Sequence, residues 1–263
     1  MLKISFKKLG GSSLAGVMFC WELAIESDSP GPVCDRFIPE LFYDFFYVQN
    51  GRVACLDKPG DIELPLGRQF LKTIHTRPQT LALYPPLVLF GARLWLQFAE
   101  SYWEPDLPSN RYLEQRWVES GVSGLDSFAD QVYQYISTHA TQKTAGPMLT
   151  GTFDESQWLN HYSPRHKRRL YKSVFGVSRK EIDSIRGLHA FLGRACDFSS
   201  QSPRIIEYID AEVFYDQPHF NHLFRKMTDL SPLEYLQANS ILQDNLLAAS
   251  YNELPGRQDT MGP

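Results

Sequence analysis

Long hydrophobic runs are missing from this 263-residue chain. The most apolar stretch, Leu81 to Phe98, is broken by Pro85-Pro86 and carries Arg93 and Gln97, which excludes a membrane-spanning helix. The first residues, MLKISFKKLGG, lack an apolar core of signal-peptide length. The expectation is a soluble, cytoplasmic protein with no membrane partner. Cysteine is scarce: Cys20, Cys34, Cys55 and Cys196 lie far apart with no CxxC pair, which argues for free thiols and against a disulfide framework or a zinc site. Low-complexity tracts are absent, and 43% hydrophobic against 21% charged residues excludes a disordered or coiled-coil chain.

Catalytic signatures are missing too. There is no nucleophile elbow, P-loop, dinucleotide fingerprint or HExxH. Asp44, Asp57 and Asp61 have no partner at a spacing that implies acid–base work, and the seven histidines suggest no triad. His219 and His222 are three apart but have no third ligand at sensible spacing, so no metal is expected. The sequence therefore predicts a non-enzyme with no cofactor.

What is present falls into two unlike halves. Up to about residue 103 the pattern favours short strands. Leu41–Val48 is a dense aromatic run followed by Gln49-Asn50-Gly51, read as a turn. Leu94, Leu96 and Phe98 alternate with Arg93, Trp95 and Gln97, the period of a strand with two different faces. Leu125, Phe128, Val132 and Ile136 then recur at helical spacing, predicting a helix over Gly124–Thr138. Residues 141–152 have few large apolar side chains and read as a linker between a β-rich region, 1–140, and a helical one, 153–254. The expected class is α+β, with an all-α second half.

In that half Ser163-Pro164 marks a helix start and Gly176 a stop, predicting a helix over Pro164–Phe175 with Leu170 and Val174 on its core side. Arg179–Ala195 should follow, with Ile182, Ile185, Leu188 and Leu192 inward. Ser202-Pro203 repeats the start signal. Asp216-Gln217-Pro218 opens another helix, whose Phe220, Leu223, Phe224 and Met227 form an apolar stripe.

The net charge of −4 conceals a strong asymmetry. Residues 163–195 hold nine basic side chains against two acidic ones, Glu181 and Asp183, a local excess of seven. Such an excess on short helices is the electrostatic footprint of phosphate-backbone binding.

Two blocks carry a family likeness. Ser163-Pro164-Arg165-His166, Arg169-Leu170 and Gly176-Val177-Ser178 form the first. Phe214-Tyr215-Asp216-Gln217, His219-Phe220, Phe224-Arg225-Lys226 and Ser231-Pro232 with Tyr235 form the second. Together, over Thr152 to Gln237, they resemble the C-terminal DNA-binding module of the AraC/XylS family of transcription regulators. The resemblance implies two helix-turn-helix units joined by a long helix, with double-stranded DNA as partner. The recognition helices would be Pro164–Phe175 and Pro218–Met227, reading two neighbouring major-groove segments. Arg165, His166, Arg168, Arg169 and Lys172 on the first helix are candidate DNA contacts. Gln217, His219, Asn221, His222, Arg225 and Lys226 are candidates on the second, Gln217 and Asn221 suiting adenine edges.

The family's N-terminal domains sense a small molecule or mediate dimerisation, so an effector and a homodimer are the further partners implied. The first half's aromatics, among them Tyr43, Phe45, Tyr47 and Trp95, are candidates for an apolar pocket, with Arg77 and Arg93 as anchors for an anionic ligand. The chain departs from the family at Lys167, at Asp154–Tyr162, at Ile209 and Val213, and at Asp229, which stands in place of a glycine. These departures support an alternative: the same fold with DNA reading lost, serving as a ligand- or protein-binding module.

Overall fold

The computed structural model describes residues 3–12, 16–27, 31–56, 62–64, 66–96, 108–119, 121–139, 163–195, 217–238, 240 and 242–253. The expected linker 141–152, the Ser202-Pro203 helix start, and Asp57, Asp61, Cys196, Ile209, Val213 and Asp216 lie outside the described residues. So does the Asp154–Tyr162 segment.

The first half is an eight-stranded, wholly antiparallel sheet: β1 (Lys3–Ser12), β2 (Val17–Glu26), β3 (Val33–Phe37), β4 (Tyr43–Cys55), β5 (Ile62–Leu64), β6 (Gln69–Lys72), β7 (Gln79–Leu94) and β8 (Tyr112–Glu114). Its order is β1-β2-β7-β4-β6-β8, with β3 added to β7 and β5 to β4. The two long strands are the spine. The start of β7 pairs with β3, and its end pairs with β2.

Gln49-Asn50-Gly51, read from sequence as a turn, lies inside β4. The strand continues to Cys55, and its register with β7 slips on both sides of this point. Gly51 has φ +79°, and a Cβ there would meet the carbonyl oxygens of Pro86 at 2.5 Å and Tyr84 at 2.8 Å. The glycine thus makes an irregularity within a continuing strand. Likewise Pro85-Pro86 falls within β7, opposite this slip, where the β4–β7 pairing skips from Arg52↔Tyr84 to Asn50↔Val88. Ladder donors are not demanded there, so proline is tolerated.

Six helices are described: α1 (Leu125–His139), α2 (Pro164–Phe175), α3 (Arg179–Ala195), α4 (Gln217–Thr228), α5 (Pro232–Gln237) and α6 (Leu242–Glu253). The helix expected over 124–138 is α1, and its Phe128, Val132 and Ile136 are buried as its period requires. They join a core with Tyr43, Phe45 and Phe90 of the sheet, and this core continues into Tyr171, Phe175, Ile182, Leu188, Phe220 and Phe224 of the helical half. A second core holds Phe19, Trp21, Phe46, Val48 and Leu89, and α6 contributes Leu242, Leu246 and Ala249 to it. The last helix therefore packs on the sheet formed by the first half. Arrangement and class are α+β. Among the described residues, no helix is long and apolar enough to cross a membrane.

Polar bonds fasten α6 and its neighbours to one short segment, the end of β3 and the residues just after it. The buried Asp35 carboxylate accepts from the Ser240 hydroxyl and the Leu242 amide. Arg36 donates to the Thr228 carbonyl at 3.3 Å, and the Pro39 carbonyl accepts from His189 Nε2 at 2.7 Å. Residues 35–39 thus touch α3, the end of α4 and the start of α6.

Candidate nucleic-acid interface

Helix α2 begins and ends where its sequence dictates. The Ser163 hydroxyl accepts from the His166 amide at 3.3 Å, Pro164 fills the first helical position, and Gly176 closes the helix at φ 73° with its amide on the Lys172 carbonyl. Its buried side chains are Tyr171 and Phe175, with Leu170 and Val174 half-buried beside them. The expected core side, Leu170 and Val174, is therefore corrected by one residue, a rotation of about 100°. That rotation explains Lys167. It lies one turn before Tyr171, half-buried at the edge of the core, where a lysine stem packs while its ammonium reaches water.

Arg165, His166, Arg168, Arg169 and Lys172 are all exposed. Arg165, Arg168, Arg169 and Lys172 recur at i, i+3, i+4 and i+7, so they share one face. The first turn has no acidic residue. Among the described residues, no carboxylate lies within ion-pair distance of these four cations. Cations at the positive end of a helix are unfavourable unless an external anion meets them. Helix α3 behaves differently: Asp183 sits 3.7 Å from both Arg179 and Arg186, so these two arginines share an acidic partner on their own helix. The basic excess of the sequence is concentrated on α2.

Helix α4 buries Phe220, Phe224 and Met227 and half-buries Leu223, as its stripe predicted. Phe191 of α3 receives both rings, at 4.8 Å from Phe220 and 5.5 Å from Phe224. His219, Asn221, His222, Arg225 and Lys226 are exposed, and Gln217 is the first residue of the helix. The helix ends at Asp229, which takes φ 60° in the glycine position noted from sequence and donates its amide to the Arg225 carbonyl. Helix α5 starts with a capping box in which Ser231 and Glu234 satisfy each other's amides. Glu234 also lies 3.9 Å from Arg225. A cleft of about 410 Å³ separates α4 from α5, lined by Asn221, His222, Arg225 and the exposed Leu233.

Glu181, at the start of α3, stands between the two candidate recognition helices. Its partial burial would raise the carboxyl. Two 2.7 Å bonds from the Ser178 amide and hydroxyl, with the charges of Lys172 on α2 and Lys226 on α4, bring it below the ordinary range instead. One carboxylate thereby serves as local counter-charge to both helices.

The ligand candidates of the first half scatter. Tyr43 and Phe45 are buried, and Phe45 stacks on Trp117 at 4.3 Å and Phe128 at 6.0 Å, so α1 fills the space on that side. Tyr47 is half-buried against Phe90, and Trp95 is half-buried with its ring edge-on to Phe42. These aromatics pack on protein rings.

Arg93 is not an exposed strand arginine. It is wholly buried, and its five N–H groups are spent on Glu40 (2.8 and 2.8 Å), Asp44 (2.7 and 3.0 Å) and Ser250 of α6 (2.9 Å). It is thus committed to the protein's own carboxylates and is unavailable to anchor a ligand. The pairing register explains the cluster: Asp44 on β4 lies directly opposite both Lys72 on β6 and Arg93 on β7. Lys72 Nζ reaches Asp44 at 3.0 Å. Burial would raise the Asp44 carboxyl, but the charges and hydrogen bonds of Arg93 and Lys72 outweigh it and hold it at about 2. The sequence separations, 28 and 49 residues, left no local signal for this cluster.

Arg77 is the one anchor that remains at the surface. It lines a cleft of about 420 Å³ against the start of α3 and the inner edge of α4. Among the described residues, no group of three or more His, Cys, Asp or Glu side chains is placed to hold a metal ion.

No protein-family model and no curated relative matches the chain. Among solved structures, ToxT from Vibrio cholerae bound to (E)-4-(8-methylnaphthalen-1-yl)but-3-enoic acid is 13% identical, with a TM-score of 0.43 over 90% of this chain and 98% of that one. The bacterial pirin YhhW from Escherichia coli is 15% identical, with a TM-score of 0.30 over 45% of this chain and 53% of that one. KdgF from Halomonas sp. is 12% identical, with a TM-score of 0.28 over 35% of this chain and 79% of that one. At these identities and scores the likenesses do not establish a function for this chain.

Proposed function

We propose that this chain is a DNA-binding transcriptional regulator of the AraC/XylS type, responsive to a small molecule. Helices α2 and α4 are its two recognition helices, both packed on α3 through inward aromatics. The observation that carries the reading is the face of α2. Four cations stand exposed along it, none within ion-pair distance of a carboxylate among the described residues, and Arg165 lies in the first turn, where an anion is most welcome. On α4, Asn221 and His222 supply polar side chains suited to base edges, and Lys226 adds a cation. The partners proposed are duplex DNA, an anionic effector and a second copy of the chain.

A titration of fluorescent duplex DNA over a salt series tests this. If Arg165, Arg168, Arg169, Lys172 and Lys226 each meet a phosphate, log K should fall with log salt at a slope of about −4.5. Arg168→Ala should weaken binding to specific and random duplexes alike and reduce the slope by about 0.9. Gln217→Ala should mainly relax base preference. Weak binding that ignores salt refutes the assignment. It would instead favour the same fold with DNA reading lost, for which the Glu234 carboxylate beside Arg225 is the supporting observation.

A further inference from the structure

The cleft beside Arg77 has a chemistry of its own. Three elements meet there: the turn after β6 (Thr76, Arg77), the first two turns of α3 (Ser178 to Ile185) and the inner edge of α4 (Leu223 to Met227). Arg77, Lys180 and Lys226 bring three positive charges and Glu181 one negative charge, a net of +2. That excess suits a dianion.

The three hydroxyls narrow the class further. Thr76 Oγ1 donates to Asn110 Oδ1 at 3.3 Å, Ser178 Oγ to Glu181 at 2.7 Å, and Ser184 Oγ to the Lys180 carbonyl at 2.8 Å. Each hydroxyl proton is already spent, so these oxygens can offer a ligand only lone pairs. Glu181 likewise only accepts. A ligand satisfying this wall must bring its own donors as well as its charge. Leu223 and Met227 supply an apolar floor for C–H faces.

We infer that this cleft binds a small phosphorylated polyol or sugar. Its phosphate lies among Arg77, Lys180 and Lys226, and its hydroxyls donate to Ser184, Thr76 and Glu181. A phosphomonoester carries about −1.5 to −2 charges at neutral pH, matching the net +2. The volume of about 420 Å³ is that of a compact metabolite site. A simple fatty or aromatic carboxylate has one charge and no donors, and would leave the hydroxyl wall unmatched. The consequence for regulation rests on the DNA reading above: ligand and duplex compete for Lys226, so each weakens the other.

Isothermal titration of the full chain, without DNA, tests the site with glucose 6-phosphate, inorganic phosphate, glucose and benzoate as probes. Glucose 6-phosphate should bind more tightly than phosphate or benzoate, and glucose should give no signal. Arg77→Ala and Lys180→Ala should each weaken glucose 6-phosphate tenfold or more with unchanged melting curves. Arg52→Ala, a surface arginine paired with Glu63, should match the wild type. No binding of glucose 6-phosphate, binding indifferent to both cleft variants, or benzoate binding as tightly overturns the assignment. Because no DNA is present, this outcome is independent of whether the chain binds duplex. A second titration adds glucose 6-phosphate to the DNA complex. Lower DNA affinity in the wild type but not in Arg77→Ala supports the antagonism, and unchanged affinity in a protein that binds both refutes it.

Discussion

Replacing Arg93 by methionine keeps most of the side chain's length and removes its charge. Asp44 retains Lys72 at 3.0 Å, but Glu40 loses both of its 2.8 Å bonds and is left as a buried carboxylate, while Ser250 loses its partner on the sheet. Breaking a buried pair in this way costs about 3–5 kcal/mol, because the surviving charge is stranded in a low dielectric. For a domain whose total stability is about 5–15 kcal/mol, that is a large fraction, equivalent to a fall of about 6–20 °C in Tm. Loss of packing alone would also destabilise, so pH supplies the decisive readout. A stranded carboxyl is driven to a raised pKa in the folded state. The folded variant then binds a proton that the unfolded chain does not, and its stability improves as pH falls. Urea unfolding of wild type and Arg93→Met at pH 7.5 and 5.0 should show the difference shrinking in acid. Adding Glu40→Gln to the variant should recover part of the loss at pH 7.5. A difference that is constant with pH and untouched by Glu40→Gln refutes the stranded-charge reasoning.

Two further outcomes follow from buried or strained groups. His75 is buried with Nδ1 on the Thr73 carbonyl at 2.7 Å, and desolvation, aided by the charge of Lys72, lowers its pKa from 6.5 to about 3. The unfolded state therefore binds the extra proton between those values, so stability should be fully present above about pH 6.5. It should then fall by about 1.4 kcal/mol per pH unit on acidification. Burial also depresses the ring of His189, which acts in the same direction; His75→Gln should flatten the slope in urea titrations, and an unchanged slope counts against the assignment. Asp229 holds φ 60°, so Asp229→Gly should relieve backbone strain and raise stability by about 0.5 kcal/mol after the entropic cost of glycine, read as a shift in the unfolding midpoint at constant m. A lower midpoint would show that the aspartate side chain itself stabilises this turn.

The helical half was the more legible. Serine–proline starts and a glycine stop are local signals, so α2 and α3 begin and end at the residues expected, and the apolar stripe of α4 points inward as its spacing requires. The rotation of α2 was less legible because Leu170, Tyr171, Val174 and Phe175 are two adjacent apolar pairs, and the pattern alone does not choose between them. Strand signals misled where turn chemistry occurs inside a strand. Gly51 and Pro85-Pro86 face each other across β4 and β7, so an irregularity in one strand accommodates the other. Arg93 shows the larger limit. The alternation over Arg93–Phe98 predicted a strand, but β7 ends at Leu94, and the face Arg93 occupies is covered by a helix some 150 residues later in the chain, information that no local window contains. The candidate DNA contacts were legible in type and exposure, and the Arg77 cleft was not, because its walls come from three separated segments.

The docking of α6 has a consequence for how the protein can be divided. The chain leaves the sheet through α1, builds α2 to α5, and returns with its final described helix laid on the sheet. The helical half is consequently fastened to the sheet by its final described helix. A fragment cut out as 153–254 would carry Leu242, Leu246 and Ala249 as a bare apolar stripe, and would strip Arg93 of its Ser250 cap on the piece left behind. Excising either half therefore damages both. Chimeras and truncations of this protein should keep α6 together with the sheet, and a truncation ending after α5 should destabilise what remains.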